Sequence, residues 1–191
     1  MKTFTVIGTG TMGSAISDVL GRGGAQVQTL GHDDTDVAAT GDVIVLAVPF
    51  PAVDDIIATR RDELDSKIIA DITNPVDFQT FDSLVVPPDS SAAAYIARAV
   101  PSAKVVKAFN TTFGGTLGSG VVGPVPTTVL LAGDDEGAKA SLAEVVQAAG
   151  LKAIDVGALK RARELEALGF LQISLAAAEK ISWTGGFGVV Q

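Results

Sequence analysis

Residues 4–13, which read FTVIGTGTMG, decide the fold because they join a short apolar strand to a glycine-rich turn. The turn fits the pattern G-x-G-x-x-G, and apolar residues at helical spacing follow it. A strand, three spaced glycines and a helix in this order are typical of a dinucleotide-binding βαβ unit. The helix would direct unpaired N–H groups and the positive end of its dipole towards a diphosphate.

Each glycine of the turn has its own predicted role. Gly8 permits the tight turn, Gly10 lets the main chain approach a pyrophosphate, and Gly13 lets the helix pack closely on the strand. An ordinary strand-to-helix turn is the alternative interpretation, and the position and spacing of the glycines argue against it. The predicted pyrophosphate loop consists of Gly8, Thr9, Gly10, Thr11, Met12 and Gly13.

The composition narrows the functional classes. The chain has 191 residues, 47% of them apolar, and 22 acidic against 14 basic residues give a formal charge of −8. A chain of this size can bury a full core, and its apolar content argues against disorder. The negative charge disfavours binding to nucleic acid or to an anionic membrane, since both require clustered Lys and Arg.

The sequence shows neither a targeting segment nor a membrane anchor. The first apolar run is too short for a signal peptide, and residues 43–48 are too few to span a bilayer. The chain contains no Cys, which excludes disulfides, thiolate metal ligands and a Cys nucleophile. We therefore expect a soluble cytoplasmic protein, and no metal site is assigned.

Short apolar runs alternate with helical stretches along most of the chain. The predicted strands are residues 4–7, 27–30, 43–48, 68–72, 105–109, 127–132 and 153–156. Helices are predicted after the glycine turn, from Pro51, and over residues 91–99 and 136–149, whereas residues 31–42 allow only a loop or a single turn. This alternation predicts an α/β fold, a Rossmann doubly wound and mostly parallel sheet with a C-terminal helix.

The end of the chain has a different pattern. Residues 158–182 are predicted to form one long helix with leucines near helical spacing, followed by a Gly-rich tail with Trp183 and Phe187. We divide the chain into a dinucleotide-binding Rossmann domain, residues 1–157, and a C-terminal helix and tail, residues 158–191. The leucines would pack on the sheet or on a second subunit, and a homodimer is expected. The two aromatic residues either close the active site or anchor the tail.

The second predicted strand leads to the residues that would border the adenosine of the dinucleotide, namely Gly31, His32 and Asp33. Asp33 lies about 20 positions after Gly13, where an acidic side chain usually accepts from the ribose hydroxyls of NAD. His32 and Thr35 could instead hold the 2′-phosphate of NADP, but residues 23–59 contain no Lys or Arg. These residues alone favour NAD slightly, and a solvated polar loop is a third interpretation.

Several residues follow the predicted strands at the edge of the sheet where ligands bind. In open parallel sheets that edge lies beyond the carboxyl ends of the strands. The polar residues there could hydrogen-bond a nicotinamide carboxamide and its ribose, although a turn or another structural role is an equal alternative for each. The predicted contacts at this edge are Ala47, Val48, Pro49, Thr73, Asn74, Asn110 and Thr111.

The predicted nicotinamide end is poor in acid–base groups. The only His is His32, at the adenosine end, and no Tyr-x-x-x-Lys arrangement occurs. Reduction of a carbonyl usually needs a placed proton donor, whereas hydride transfer to a flavin-like ring needs mainly alignment. We therefore predict an NAD(P)-dependent oxidoreductase that transfers hydride between a nicotinamide and a flavin-like or small acceptor. No catalytic residue is assigned, Lys107 and Glu164 are the remaining candidates for proton transfer, and a non-catalytic redox sensor is the alternative.

Five segments occur together in a fixed order: residues 8–13, 71–75 (DITNP), 107–111 (KAFNT), 132–135 (AGDD) and 155–157 (DVG). In this order they resemble the deazaflavin (factor 420)-dependent NADP oxidoreductase family. Within that family the chain is most similar to a branch of small bacterial dinucleotide-binding oxidoreductases. The resemblance covers nearly the whole chain.

The resemblance implies a Rossmann domain with a short C-terminal helical element, a dimer, and NADP on the glycine loop. The residues of this chain after the second strand keep NAD as the alternative. It also implies a deazaflavin or flavin co-substrate over the nicotinamide, near residues 109–112 and 161–168. The second strand of the family usually ends in Ser or Thr followed by Arg or Lys, which bind the 2′-phosphate. This chain has Gly31, His32 and Asp33 at that place.

Overall fold

The structure is a computed structural model that describes residues 2–190. Its strands are β1 (Thr3–Ile7), β2 (Gln26–Leu30), β3 (Val43–Leu46), β4 (Ile68–Asp71), β5 (Lys104–Lys107), β6 (Val121–Val122), β7 (Val125–Pro126), β8 (Thr128–Gly133) and β9 (Lys152–Gly157). Its α-helices are α1 (Thr11–Arg22), α2 (Val53–Thr59), α3 (Arg61–Leu64), α4 (Ala92–Ala99), α5 (Gly114–Ser119), α6 (Glu136–Ala148) and α7 (Ala162–Ala177). Two short 3₁₀ helices span Phe50–Ala52 and Leu159–Arg161.

A seven-stranded sheet with the order β2-β1-β3-β4-β5-β8-β9 forms the centre of the molecule. Strands β1 to β5 are parallel, β8 is antiparallel to β5, and β9 is parallel to β8. The predicted Rossmann doubly wound, mostly parallel sheet with a C-terminal helix is confirmed. Because β2 and β3 lie on opposite sides of β1, the strand order reverses there, and open α/β sheets bind ligands in the crevice at such a point.

The continuous apolar run of β3 is explained by helices on both faces of the sheet. Val43 and Val45 pack into the core on the side of α1 and α6. Ile44 and Leu46 pack into the core on the side of α2 and α4. Alternate side chains of one strand therefore supply two cores, and each buried aliphatic side chain contributes about 1.5–3 kcal/mol of transfer free energy.

The connection from β2 to β3 contains no helix, as the short spacing predicts. Where a helix would otherwise pack on the sheet, polar side chains of β1 and β2 hold this connection in place. Thr5 Oγ1 donates to Gln28 Oε1 at 2.7 Å and accepts from Gly41 N at 2.9 Å. Gln28 Nε2 donates to Ala38 O at 2.9 Å. The segment between β2 and β3 is thus tied to the sheet by polar contacts, with little apolar packing of its own.

The reversed direction of β8 follows from a connection that the sequence interpretation did not resolve. Between β5 and β8 the chain forms α5 and the β6–β7 hairpin, neither of which was predicted, and α3 was also missed. Thr127 Oγ1 donates to Thr116 O at 2.7 Å and Thr127 N donates to Gly120 O at 2.9 Å, which bind the hairpin end to α5. This connection begins and ends at the carboxyl edge of the sheet, so β8 must run antiparallel to β5.

The prediction of one helix over residues 158–182 is wrong. The segment begins with a 3₁₀ turn at Leu159–Arg161, and α7 ends at Ala177. Glu179 has φ 57°, and Lys180 N donates to Leu175 O at 2.9 Å. Glu179 thus adopts the left-handed conformation that a glycine usually supplies at a helix C-terminus, and the hydrogen bond from Lys180 to Leu175 ends the helix. No glycine marks the position, which is why the pattern of leucines suggested a longer helix.

The leucines of α7 do not share one environment. Leu165 is buried, whereas Leu171 is 50% exposed. Packing on the sheet therefore accounts for only some of the leucines at helical spacing.

No helix within residues 2–190 has the length and apolar character that a membrane span requires. The domain division at residue 157 and the cellular location stay predictions.

Candidate functional site

The glycine turn leaves no room for side chains at two of its three glycines. Gly8 has φ +123°, and a β-carbon built on it would lie 2.1 Å from Ala47 O. A β-carbon on Gly13 would lie 2.0 Å from Gly8 O. A β-carbon on Gly10 would meet no atom within 4 Å, so this glycine faces open space. The turn therefore holds α1 against the ends of β1 and β3 and leaves the main chain at Gly10 approachable.

The amino end of α1 lies at the point where the strand order reverses. The helix begins after Gly10, which has no side chain to cap it. Ser14 N donates to Gly10 O at 2.9 Å, so the N–H groups of residues 11–13 precede the first hydrogen bond of the helix. These N–H groups and the positive end of the helix dipole form an environment that suits an anion such as a pyrophosphate.

A cavity of about 380 Å³ lies between the amino end of α1 and the carboxyl ends of β4 and β5. Trp183 from the tail covers one side, with its ring 5.0 Å from that of Phe113 between centroids and tilted by 51°. None of the lining residues carries an ionisable side chain. They are Thr11, Met12, Ile72, Asn74, Asn110, Thr112, Phe113, Gly114, Gly115, Ile173 and Trp183.

Two of the predicted polar residues, Asn74 and Asn110, form a pair in the wall of the cavity. Asn74 Nδ2 donates to Asn110 O at 2.8 Å, and Asn110 Nδ2 donates to Asn74 Oδ1 at 2.9 Å and to Leu165 O at 2.9 Å. A β-carbon on Gly169 would lie 2.3 Å from Asn74 Oδ1, so α7 needs a glycine at this contact. The pair therefore joins the loops after β4 and β5 to α7, and its amides are fixed before any ligand arrives.

The chain turns sharply after β5 at Phe109, which has φ 61° and is fully buried. Asn110 N donates to Ala108 O at 2.8 Å, and Thr112 Oγ1 donates to Phe109 O at 2.7 Å. A left-handed backbone at an aromatic residue is strained, and it persists only where the surroundings enforce it. The turn ends β5 two residues earlier than predicted and directs the chain back along the cavity.

A buried ionic network lies behind the cavity. Lys107 Nζ donates to Asp71 Oδ2 at 2.6 Å, to Glu166 Oε1 at 2.8 Å and to Thr73 O at 2.6 Å. The three charged side chains are at most 1% exposed. Glu166 Oε2 also accepts from Ala92 N at 2.9 Å, at the start of α4. One ammonium group therefore connects β4, β5 and α7, and the second carboxylate connects them to α4.

Burial raises the pKa of Glu166 above that of an exposed glutamate. The charge of Asp71 acts in the same direction, while Lys107 and the main-chain N–H of Ala92 oppose it. Two carboxylates share one ammonium group here, and removal from water disfavours the second negative charge. The network therefore depends on Lys107 more than on either acid.

The loop after β2 borders the glycine turn. A β-carbon on Gly31 would lie 3.5 Å from Thr9 Cγ2, and Gly31 N donates to Asp34 Oδ2 at 2.7 Å. His32 and Asp33 are exposed. The structure thus places the predicted adenosine-end residues beside the predicted pyrophosphate loop.

Comparison with known proteins identifies relatives of this chain. A family model described as "NADP oxidoreductase coenzyme F420-dependent" matches residues 23–75. The F420-dependent NADP reductase of Methanocaldococcus jannaschii is 31% identical over 172 residues, which are 88% of this chain and 77% of that protein. The enzyme of the same name from Methanothermobacter thermautotrophicus is 33% identical over 180 residues, 90% of this chain and 75% of that protein.

The chain belongs to the F420-dependent NADP reductase family. A crystal structure from Arthrobacter sp. FB24, described as a candidate F420-dependent NADP-reductase, has a TM-score of 0.85 with 26% sequence identity. Each of the two chains is covered completely in that comparison. The family resemblance seen in the sequence motifs is confirmed.

Not every predicted site residue of this family member lies at the cavity. Thr11, Met12, Asn74 and Asn110 are in its walls. Thr73 is buried, and its carbonyl oxygen is taken by Lys107. Thr111 lies beside the tail, near Gln172 and Gly186. Ala47 supports the glycine turn, Val48 is half-buried and Pro49 is exposed. Whether these residues contact a cofactor stays a prediction.

The sequence interpretation missed Glu166 and considered its neighbour Glu164 instead. Glu164 is half-exposed on the surface. Its Oε1 lies 3.7 Å from Arg161 Nη1 and 3.6 Å from Arg163 Nη2. A signal for the buried acid was present, because the small residues 162, 169 and 176 repeat at a seven-residue spacing and mark the inward face of α7. Residue 166 falls on that face.

Replacing the shared cation tests the energetic role of the network. We expect Lys107→Met to lower the free energy of unfolding at pH 7 by about 3–5 kcal/mol, because two buried carboxylates lose their partner. Part of the loss should return as the pH falls towards the ordinary glutamate value of 4.5, since the folded state then binds more protons than the unfolded state. Urea denaturation at both pH values measures the two effects.

The matched control is Lys104→Met in the same strand. The Lys104 side chain is 54% exposed, and its Nζ lies 2.8 Å from Asp135 Oδ2. The substitution should therefore lower the free energy of unfolding by less than about 1 kcal/mol at either pH. If both variants lowered the free energy of unfolding equally at pH 7, the buried network would contribute no more than a surface ion pair, which would contradict this prediction.

Proposed function

We propose that this member of the F420-dependent NADP reductase family is an NAD(P)-dependent oxidoreductase that exchanges hydride with a flavin-like acceptor such as a deazaflavin. The observation that carries the proposal is the cavity at the amino end of α1, whose walls have no ionisable side chain. Hydride transfer between two bound rings needs alignment and exclusion of water more than a protein acid or base. The names of the relatives state NADP and F420 for those proteins.

The residues present suit a dinucleotide. Gly10 leaves space at the turn, and the N–H groups of residues 11–13 would hold the pyrophosphate. The cavity beyond them would take the nicotinamide, which supplies the hydride chemistry when bound. Asn74 would meet its polar edge with Asn110 holding it in position, while Met12 and Ile72 would pack on the ring. We also propose that residues 47–49 contact the adjoining ribose.

The tail contributes to the site by excluding water. Phe187 N donates to Gln172 Oε1 at 3.2 Å, which fixes the tail to α7. Thr184 packs on α5 at Gly115, where a β-carbon would lie 3.0 Å from Thr184 Cγ2. Trp183 directly precedes Thr184 and lines the cavity. This position supports a role for Trp183 in closing the site.

Trp183 is the single tryptophan of the chain, so its fluorescence reports on this cavity. We expect NADH or NADPH to quench it with energy transfer to the reduced nicotinamide, and the bound nucleotide to be oxidised on addition of a deazaflavin or FMN. Trp183→Phe should remove the signal while calorimetry still detects binding. Absence of binding below millimolar concentration would refute the proposal, and binding without oxidation by any acceptor would favour a redox sensor.

A pair of glycine substitutions in α1 and its turn tests the pyrophosphate site. Gly10→Ala should leave the free energy of unfolding within about 1 kcal/mol of wild type and weaken dinucleotide binding at least about tenfold, because the methyl group enters the space beside the main chain. Gly21→Ala, which also meets no atom within 4 Å, should leave binding unchanged and stabilise the helix by about 0.5–1 kcal/mol. Wild-type affinity in Gly10→Ala would argue against this location.

We also propose a homodimer. The proposal follows the family resemblance, and a partner subunit would cover apolar side chains such as Leu171 on α7, which is 50% exposed, and Phe78, which is 52% exposed. Light scattering should give twice the chain mass of 19.4 kDa. Leu171→Glu should shift the protein towards the monomer, whereas Val190→Glu, in the exposed tail, should not. A monomeric wild type at working concentration would remove this part of the proposal.

A further inference from the structure

We propose that the adenosine end of this site selects NADH over NADPH and that Asp33 is the specificity-determining residue. The inference rests on the proposed dinucleotide function and concerns the group at the 2′-position of the adenosine ribose. The glycine turn fits a pyrophosphate, which both nucleotides share. The loop after β2 does not fit a 2′-phosphate, because of its position, its negative charge and the burial of its neighbouring arginine.

The position of the loop follows from the sheet. Parallel pairing places Leu30 opposite Ile7, so the residues after β2 emerge level with the glycine turn. Gly8 N donates to Leu30 O at 2.8 Å, and Gly31 packs against Thr9. A dinucleotide whose pyrophosphate lies on this turn therefore has its adenosine ribose beside residues 31–33.

The charge of the loop is negative. Residues 31–36 read GHDDTD, with three carboxylates and His32 as the one side chain that can carry a positive charge. The carboxylate of Asp34 is used within the loop, where it accepts from Gly31 N at 2.7 Å. Asp33 and Asp36 are exposed. A phosphate ester at the 2′-position would enter a field of its own sign.

Arg60 is a cation that contacts this loop, and three hydrogen bonds already hold its guanidinium group in place. Its Nη2 donates to Asp34 O at 2.6 Å, and its Nη1 donates to Val37 O and to Glu63 Oε2, both at 2.9 Å. The side chain is 9% exposed and its charge is balanced by Glu63. Arg60 therefore supports the loop from its buried side, and moving its guanidinium group out to a 2′-phosphate would break the contacts that hold the loop.

The same loop suits the unmodified ribose of NADH. A ribose carries two neighbouring hydroxyl groups, both hydrogen-bond donors, and one carboxylate can accept from both. Asp33 supplies an exposed carboxylate at the position after β2 where that contact is made in dinucleotide folds. In NADPH the 2′-hydroxyl is esterified, so the donor is lost and a repelled anion takes its place. The relatives are named for NADP, so this chain departs from them at this end of the site.

The test compares two nucleotides that differ only in the 2′-phosphate. Titration of the full chain, followed by Trp183 fluorescence and by calorimetry, should give a dissociation constant for NADH at least about tenfold below that for NADPH, equivalent to about 1.4 kcal/mol. In Asp33→Asn the constant for NADPH should fall and that for NADH should rise, so that the ratio approaches one. Circular dichroism confirms that the exposed substitution leaves the fold intact.

Asp36→Asn is the matched control, because it removes the same charge from an exposed position of the same loop. It should change the NADPH constant less than Asp33→Asn and leave NADH binding unaltered. An equal effect of both substitutions would overturn Asp33 as the determinant. Tighter binding of NADPH than of NADH by the wild type would overturn the selectivity while leaving the proposed oxidoreductase function standing. Absence of binding by either nucleotide would remove the function and the selectivity together.

Discussion

The contact between Gly13 and the carbonyl oxygen of Gly8 sets the position of α1, and much of the molecule depends on it. A single methyl group at residue 13 would lie 2.0 Å from that oxygen, so only glycine lets the helix approach β1 this closely. At this distance Ile16 and Leu20 reach the core beside Phe4. The same approach brings the helical N–H groups to the point where the strand order reverses. One steric constraint therefore serves both the stability of the core and the helix end that we propose binds the pyrophosphate.

The opposite side of the crevice is positioned by buried charge. The ammonium group of Lys107 holds the ends of β4 and β5 against Glu166 of α7. Buried ion pairs add little net stability, because removal from water costs about as much as the attraction returns. They do restrict the geometry, however, because any displacement of α7 would leave the buried carboxylate of Glu166 without its partner. The network thus fixes where α7 lies, and α7 in turn brings Gly169 to the Asn74 amide and Ile173 to the cavity.

Features encoded by neighbouring residues could be predicted from the sequence, whereas those set by distant contacts could not. The glycine turn and the buried strand at residues 43–46 can each be predicted from a few consecutive residues. The direction of β8 depends on where the hairpin after α5 returns the chain, which no local pattern records. The end of α7 relies on a left-handed Glu179, a residue type that does not usually mark a helix end. The small residues 162, 169 and 176 mark the buried face on which Glu166 lies, but the lysine that pairs with it comes from a distant strand.

The absence of a helix between β2 and β3 has a consequence for how such a protein can diverge. The segment is attached through Thr5, Gln28 and Arg60 rather than through an apolar core of its own. Surface residues at its tip can therefore be exchanged without disturbing the packing beneath the sheet. Under the selectivity that we propose for Asp33, nucleotide preference and fold stability are therefore uncoupled, and a few substitutions on this scaffold would suffice to match a different cellular pool of reducing equivalents.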